Sequence, residues 1–178
     1  MPDQDAAEGL TKSMDKVPSP LGNCVQVAYV TPDVERAKGL FADVYGVKRW
    51  FDLGSPERGG SVIQTRQGRR IVLRGAIAYV GSVQFELLQP VEDPDEIYRS
   101  FLPADGSFAI RFHHLGFNHA STADVHALEK AMSGRHLIPL ATDSETVPVF
   151  YADERERIGH YLEHVCLPDS FDRLIPRN

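Results

Sequence analysis

The sequence predicts an α+β fold in which two tandem β-α-β-β-β modules curl into one cup-shaped mixed sheet. Three observations predict it. The order strand, helix, strands occurs twice along the chain. The two helical segments carry their apolar residues at matching spacing: Val34, Ala37 and Phe41 become Val125, Leu128 and Met132 at a constant offset of 91 residues. Between the repeats lies a stretch holding Pro94, Pro103 and Gly106, the composition of a connector.

Residues 1–20 are polar, rich in Asp, Lys, Ser and Pro, and read as a disordered leader without the apolar run of a secretory signal. The first module is expected over 21–90. Cys24 to Val30 is a strand by its β-branched content. Thr31-Pro32-Asp33 supplies a helix cap, a proline and an early acid. The helix ends at Gly46. Trp50 to Leu53 is a short strand, 54–61 a glycine-rich loop, and Ile71–Val80 and Ser82–Gln89 form a hairpin about Gly81. A linker over 91–109 has one helical turn near Ile97–Leu102.

The second module is expected over 110–168. Arg111 to Asn118 is its first strand, and Ser121 with Asp124 forms a capping pair. Its helix ends at Gly134. Strands near Leu137–Ala141, Val147–Ala152 and His160–Cys166 complete the module, and 169–178 is a short tail.

Bulk properties narrow the function. The 178 residues are 42% hydrophobic and 25% charged, an ordinary globular balance. A net charge of −6 argues against a surface that tracks nucleic-acid phosphates. The local basic cluster Arg66, Arg69, Arg70 and Arg74 is expected to decorate a hairpin. Two cysteines without a CxxC pair suit reduced core residues of a cytoplasmic protein. No run is long enough to span a membrane.

Alternation along the strands brings chemistry together. In the first strand Val25, Val27 and Tyr29 face the helix, leaving Cys24, Gln26 and Ala28 opposite. Glu86 lies on the equivalent face of 82–89, with Phe85 and Leu87 turned away. In the strand from Arg111, Phe112, His114 and Gly116 oppose Leu115 and Phe117. In the last strand Glu163 alternates with Leu162. Four strands thus each place one metal-capable side chain on the face away from the helices: Gln26, Glu86, His114 and Glu163. Two carboxylates on one apolar face repel unless a proton or cation joins them. One imidazole, two carboxylates and an amide oxygen suit a divalent Zn, Ni, Co, Fe or Mn ion. By the same alternation His113 and His164 face away from that set. His119 reaches toward the cup mouth, and Cys24 belongs to the pocket wall.

The pattern resembles the vicinal oxygen chelate superfamily, which includes glyoxalase I, methylmalonyl-CoA epimerase, extradiol dioxygenases and bleomycin-binding proteins. The resemblance spans Asn23 to Leu167. It rests on the segments from Gln26 to Asp33, Val83 to Pro90, His113 to Phe117 and Gly159 to His164. The family's ligand positions fall on Gln26, Glu86, His114 and Glu163, and the combination is similar to that of glyoxalase I. The stretch Tyr151–Gly159 departs from the family's usual approach to the last strand, and no arginines match those that hold glutathione.

The resemblance implies a metal-dependent glyoxalase-like isomerase, lyase or epimerase. It acts by proton transfer beside a chelated carbonyl of a small-molecule substrate, with Glu163 as base and Glu86 as second proton carrier. An acyl-CoA epimerase is the alternative within that chemistry. A non-catalytic small-molecule-binding protein is the alternative outside it. Members commonly pair, so a homodimer is expected.

Overall fold

The structure, a computed structural model, describes residues 18–54, 59–142 and 147–178. Most of the expected leader and the middle of the glycine-rich loop lie outside the described residues.

The chain runs β1 (Cys24–Val30), α1 (Val34–Tyr45), β2 (Phe51–Leu53), β3 (Ser61–Thr65), β4 (Arg70–Val80) and β5 (Val83–Glu92). A 3-10 turn occupies Arg99–Phe101. Then come β6 (Arg111–Asn118), α2 (Thr122–Ala131), β7 (Leu137–Thr142), β8 (Val149–Asp153), α3 (Arg155–Ile158), β9 (Tyr161–Val165) and α4 (Asp169–Asp172). The mixed sheet curls into a cup. Its order β4-β3-β7-β8-β9-β6-β1-β5 returns to β4, so the ring closes within one chain, with β2 paired beside β3 on the same edge of β4.

The repeat is visible in the pairing. β1 runs parallel to β5, and β6 runs parallel to β9. The two halves meet where β1 and β6 pair antiparallel, and again where β3 pairs with β7. Each helix covers the outside of its half. Val34, Ala37 and Phe41 of α1 are buried against Ala76, Ala78 and Leu87. Val125, Leu128 and Met132 pack on Phe117, Phe150 and Leu162. A third cluster, including Ile71, Leu73, Leu88, Leu140 and Val149, lines the inside.

Several local expectations are corrected. Asp33, not Thr31, caps α1 by accepting from Arg36 N–H at 3.0 Å, while Thr31 Oγ1 accepts from Asp33 N–H at 3.3 Å. Ser121 caps α2 as expected, but that helix ends at Met132 rather than Gly134. Ser61–Thr65, where no strand is expected from sequence, forms the strand that closes the ring through Ile63 opposite Thr142. Neither cysteine is a core residue: Cys24 is exposed and Cys166 is half-buried, both as free thiols.

The tail is a strap. Tyr79 N–H donates to Pro176 O at 2.9 Å, and Asn178 N–H donates to Tyr79 O at 3.0 Å. The Asn178 side chain accepts from Lys48 and Arg49 N–H at 3.1 and 2.9 Å. Ile175, with Phe171 packed beside it, fills the space over Ile77 and Tyr79. The linker is likewise structural. The Asp93 carboxylate accepts from the backbone N–H of Ile97, Tyr98 and Arg99 at 3.1, 2.8 and 2.8 Å. That turn drives Ile97 and Tyr98 into the base of the cup, where they are buried.

Candidate metal centre

Four adjacent strands, β9, β6, β1 and β5, carry the four side chains singled out by alternation. The structure brings them together on one atom. His114 Nε2 lies 3.3 Å from Gln26 Oε1, 3.4 Å from Glu163 Oε2 and 3.6 Å from Glu86 Oε2. Ligands bonded at about 2.0–2.2 Å and set about 90–110° apart lie about 2.8–3.6 Å from one another. All three separations fall in that range, so the donor set fits a divalent ion. Among the described residues, no group of three or more His, Cys, Asp or Glu is arranged to hold a metal ion by those side chains alone; the fit rests on the imidazole nitrogen with its three oxygen neighbours, the Gln26 amide included. The convergence is on the imidazole nitrogen.

Local structure makes the convergence possible. Gly116 sits opposite Gln26 across the β1–β6 pair. A Cβ built on Gly116 would lie 2.6 Å from Gln26 Oε1 and 2.9 Å from Gln26 Cβ. The missing side chain is therefore what lets the amide lie against β6 and reach His114.

A register shift on β6 corrects the expectation for His113. Ala28 pairs with His114 and Tyr29 with Phe112, which leaves His113 as an extra, bulged residue. Strict alternation fails there. Phe112 turns to the helix side, where its ring meets Tyr29 at 6.0 Å. His113 swings beneath His114, and the two Nδ1 atoms are 2.8 Å apart. Its other nitrogen, Nε2, is 3.1 Å from Ile97 O.

These contacts fix the tautomers. A carbonyl can only accept, so His113 Nε2 carries the hydrogen and its Nδ1 is bare. That bare nitrogen accepts from His114 Nδ1–H, which leaves His114 Nε2 aimed at the three oxygens. His113 is fully buried, stacked on Tyr98 with ring centroids 4.8 Å apart. Burial, then the neighbouring His114, holds its pKa well below the ordinary histidine value and keeps it neutral.

The electrostatics suit a cation. Burial pushes the Glu86 carboxyl up to about 7; His114 opposes the rise and Glu163 adds to it. Burial alone would lower His114, but the Glu163 carboxylate and then Glu86 more than offset it and hold its pKa above the ordinary value. Without a metal ion, protons occupy a site built around negative charge.

Both carboxylates open onto a cavity of about 180 Å³ inside the cup. Glu86 and Glu163 keep 12% and 15% of their side-chain surface, whereas His114 keeps none. The carboxylates can therefore meet a bound molecule, and the imidazole can only hold an ion from behind. Tyr98 and Tyr151 join the floor with their hydroxyls 3.1 Å apart. Burial raises both phenols far above their ordinary value, so they remain neutral donors. Sequence reasoning missed both tyrosines, and the only signal was the helical turn expected at Ile97–Leu102.

Other histidines lie elsewhere. His164 faces away from Glu163, as alternation requires, and is buried between Phe117 and Phe150. His119 does not reach the cup mouth; it is buried beside His164, with Nε2 3.1 Å from His164 Nδ1. Cys24 is outside the cavity lining.

Residues 25–143, more than half of the chain, match the family described as the Glyoxalase/Bleomycin resistance protein/Dioxygenase superfamily. This chain belongs to that superfamily. No curated protein matches it. Among solved structures the superfamily fold is shared with methylmalonyl-CoA epimerase from Mycobacterium tuberculosis, at 16% identity and a TM-score of 0.55, covering 88% of this chain and 95% of that one. Streptomyces coelicolor methylmalonyl-CoA epimerase, in complex with 2-nitronate-propionyl-CoA, matches at 17% identity and a TM-score of 0.52, covering 81% and 96%. At such identities the likeness is one of fold. Within the superfamily fold, this chain's own residues define its site. Among the described residues no helix is long and apolar enough to cross a membrane.

Proposed function

We propose that this superfamily member is a metal-dependent enzyme of the isomerase, lyase or epimerase type, moving a proton at the carbon beside a substrate carbonyl. The observation that carries this reading is the convergence of Gln26, Glu86 and Glu163 on His114 Nε2 at 3.3–3.6 Å, on the floor of a cavity. The four residues are the proposed ligands of one divalent ion, of the Zn, Ni, Co, Fe or Mn class. Such an ion would act there as a Lewis acid toward the carbonyl oxygen.

The chain's own groups divide the remaining work. Glu163 is the proposed base, open to the cavity and reached by substrate without moving the backbone. Glu86, the other carboxylate open to the cavity, is the proposed second proton carrier. Tyr98 and Tyr151 supply neutral hydroxyls to orient oxygen atoms. The apolar walls exclude water from the carbanionic stage.

Acyl-CoA epimerisation is a second reading within the same chemistry, favoured by the cup shared with the two epimerases. A purely sequestering role is disfavoured by the four-donor set, which binding a ligand by shape alone does not require. The proposed enzyme is also a homodimer. The closed ring leaves little free sheet edge, so pairing would use other surface, such as the exposed Val44 and Tyr45 of α1. A light-scattering mass of one chain at micromolar concentration would exclude it.

The decisive experiment combines metal analysis with solvent exchange. The native chain is expected to bind close to one ion and to exchange deuterium into a substrate at the carbon beside its carbonyl. Glu163→Gln should keep the ion and lower exchange by about 10²–10⁴. His114→Ala should lose ion and exchange together. Full recovery of Glu163→Gln in excess metal would move the base to Glu86. An inert, metal-free native chain after metal-replete purification would end the proposal.

A further inference from the structure

We infer that the cup selects a small, mostly apolar substrate that carries no charge outside the adjacent oxygens it turns toward the Gln26, Glu86, His114 and Glu163 cluster. The inference rests on the metal-dependent reading proposed for this site and adds the substrate class.

The walls carry the argument. Leu53, Ile63, Leu73, Ile77, Leu140 and Val149 face the cavity from five strands. The charged residues among its described lining are Glu86 and Glu163, both on the floor. A divalent ion balances those two carboxylates. No lysine or arginine in the described lining is then left to pair with a substrate anion, and burying an unpaired carboxylate against such walls is strongly unfavourable.

The nearby arginines do not change this. Arg66 pairs with Glu129, Arg70 with Glu92, and Arg69 with Asp95 at 2.7 Å. Arg74 is turned to the other face of β4, in a separate shallow cavity with Glu35 and Asp52. A substrate with a free carboxylate away from its chelating oxygens meets, in the described lining, apolar wall where it needs a cation.

Size sets a second limit. The cavity is about 180 Å³, and an apolar cavity of about 150 Å³ admits a benzene molecule. A ring or short chain of about six to eight carbons therefore fills the cup beside the chelating oxygens. The few polar atoms on the wall, the hydroxyls of Ser61, Tyr98 and Tyr151, suit neutral oxygen atoms and not a charged group.

Alkyl hydroxamates test this directly, because they present two adjacent oxygens and carry no charge on the alkyl chain. They are titrated into the full chain loaded with cobalt(II), with calorimetry and the visible spectrum as readouts. From acetohydroxamate to hexanohydroxamate, Kd is expected to fall about fourfold per methylene, the usual effect of burying one. Adipic acid monohydroxamate, the six-carbon hydroxamate with a carboxylate at its far end, is expected to bind at least about tenfold more weakly than hexanohydroxamate. Leu53→Lys places an ammonium on a half-buried wall position where its stem can still pack; it should flatten the chain-length series and strengthen adipic acid monohydroxamate. A flat series on cobalt-loaded native protein, or binding of adipic acid monohydroxamate as tight as that of hexanohydroxamate, overturns the substrate class and leaves the metal reading intact. A chain that takes up no cobalt overturns both.

Discussion

His113 and His114 are neighbours in sequence with different work to do. His114 Nε2 faces the oxygens of Gln26, Glu86 and Glu163, while His113 touches none of them and instead links His114 Nδ1 to Ile97 O. Metal-binding imidazoles are typically oriented through their second nitrogen, and losing that partner weakens metal binding about 10–100-fold. His113→Phe keeps the stack on Tyr98 but offers His114 no acceptor. It should therefore fold and bind zinc about 10–100-fold more weakly by calorimetry. His113→Gln, with one acceptor and one donor, should recover much of the loss. In the zinc-loaded native chain, nitrogen NMR should find the His114 hydrogen on Nδ1. Unchanged zinc affinity in His113→Phe would reduce His113 to a packing residue.

The convergence of Gln26, Glu86, His114 and Glu163 was legible because strand alternation holds along the middle of β1, β5 and β9. It fails on β6 at one residue, the bulge at His113, and that residue is the one whose role was misread. A bulge is set by both strands of a pair, so single-strand periodicity cannot reveal it. The same limit applies to β3. Ser61-Val-Ile-Gln-Thr65 has strand composition and a hairpin partner close by in β4, but the partner that makes it close the ring, Leu140–Thr142, is distant in sequence. The linker turn and the terminal strap were equally opaque, since Asp93, Ile175 and Asn178 act through contacts made only after folding. The outer layer of the second half makes its own prediction. Burial, then His119, lowers His164 to about 4, with Glu163 opposing, and its Nε2 has no hydrogen-bond partner. Its folded pKa is below the unfolded value near 6.5. Its contribution to stability is therefore complete above pH 6.5 and is lost as pH falls through about 4. His164→Phe packs between Phe117 and Phe150 without a proton to gain. Relative to the native chain it should become more stable between pH 6.5 and 4, by up to about 3 kcal/mol in urea melts. A difference independent of pH would show that His164 is not held neutral by the fold.

Ring closure makes the proposed ion a tie between halves. Gln26 and Glu86 come from the first module, His114 and Glu163 from the second, and their strands are neighbours across the β1–β6 seam. An ion bound there and not by the unfolded chain stabilises the whole ring, by about 2.7 kcal/mol at a hundredfold excess over Kd. For a chain of this size that corresponds to a rise in Tm of about 5–10 °C. The rise should depend on pH with a definite sign. Glu86 in the metal-free fold has a pKa raised from 4.5 to about 7, chiefly by burial. Its contribution to metal-free stability is thus present below 4.5 and lost as pH rises through about 7. Metal binding requires the deprotonated carboxylate, so an ion gains affinity over the same interval. The gap in Tm between nickel-loaded and metal-free protein should be small at pH 5 and reach its full size by about pH 8. His164 titrates in both forms and cancels from that gap. In Glu86→Gln the gap should shrink and keep only the pH dependence that His114 contributes, since its pKa is also held above the ordinary value, while a gap that is the same at pH 5 and pH 8 in the native chain would remove Glu86 from the ligand set.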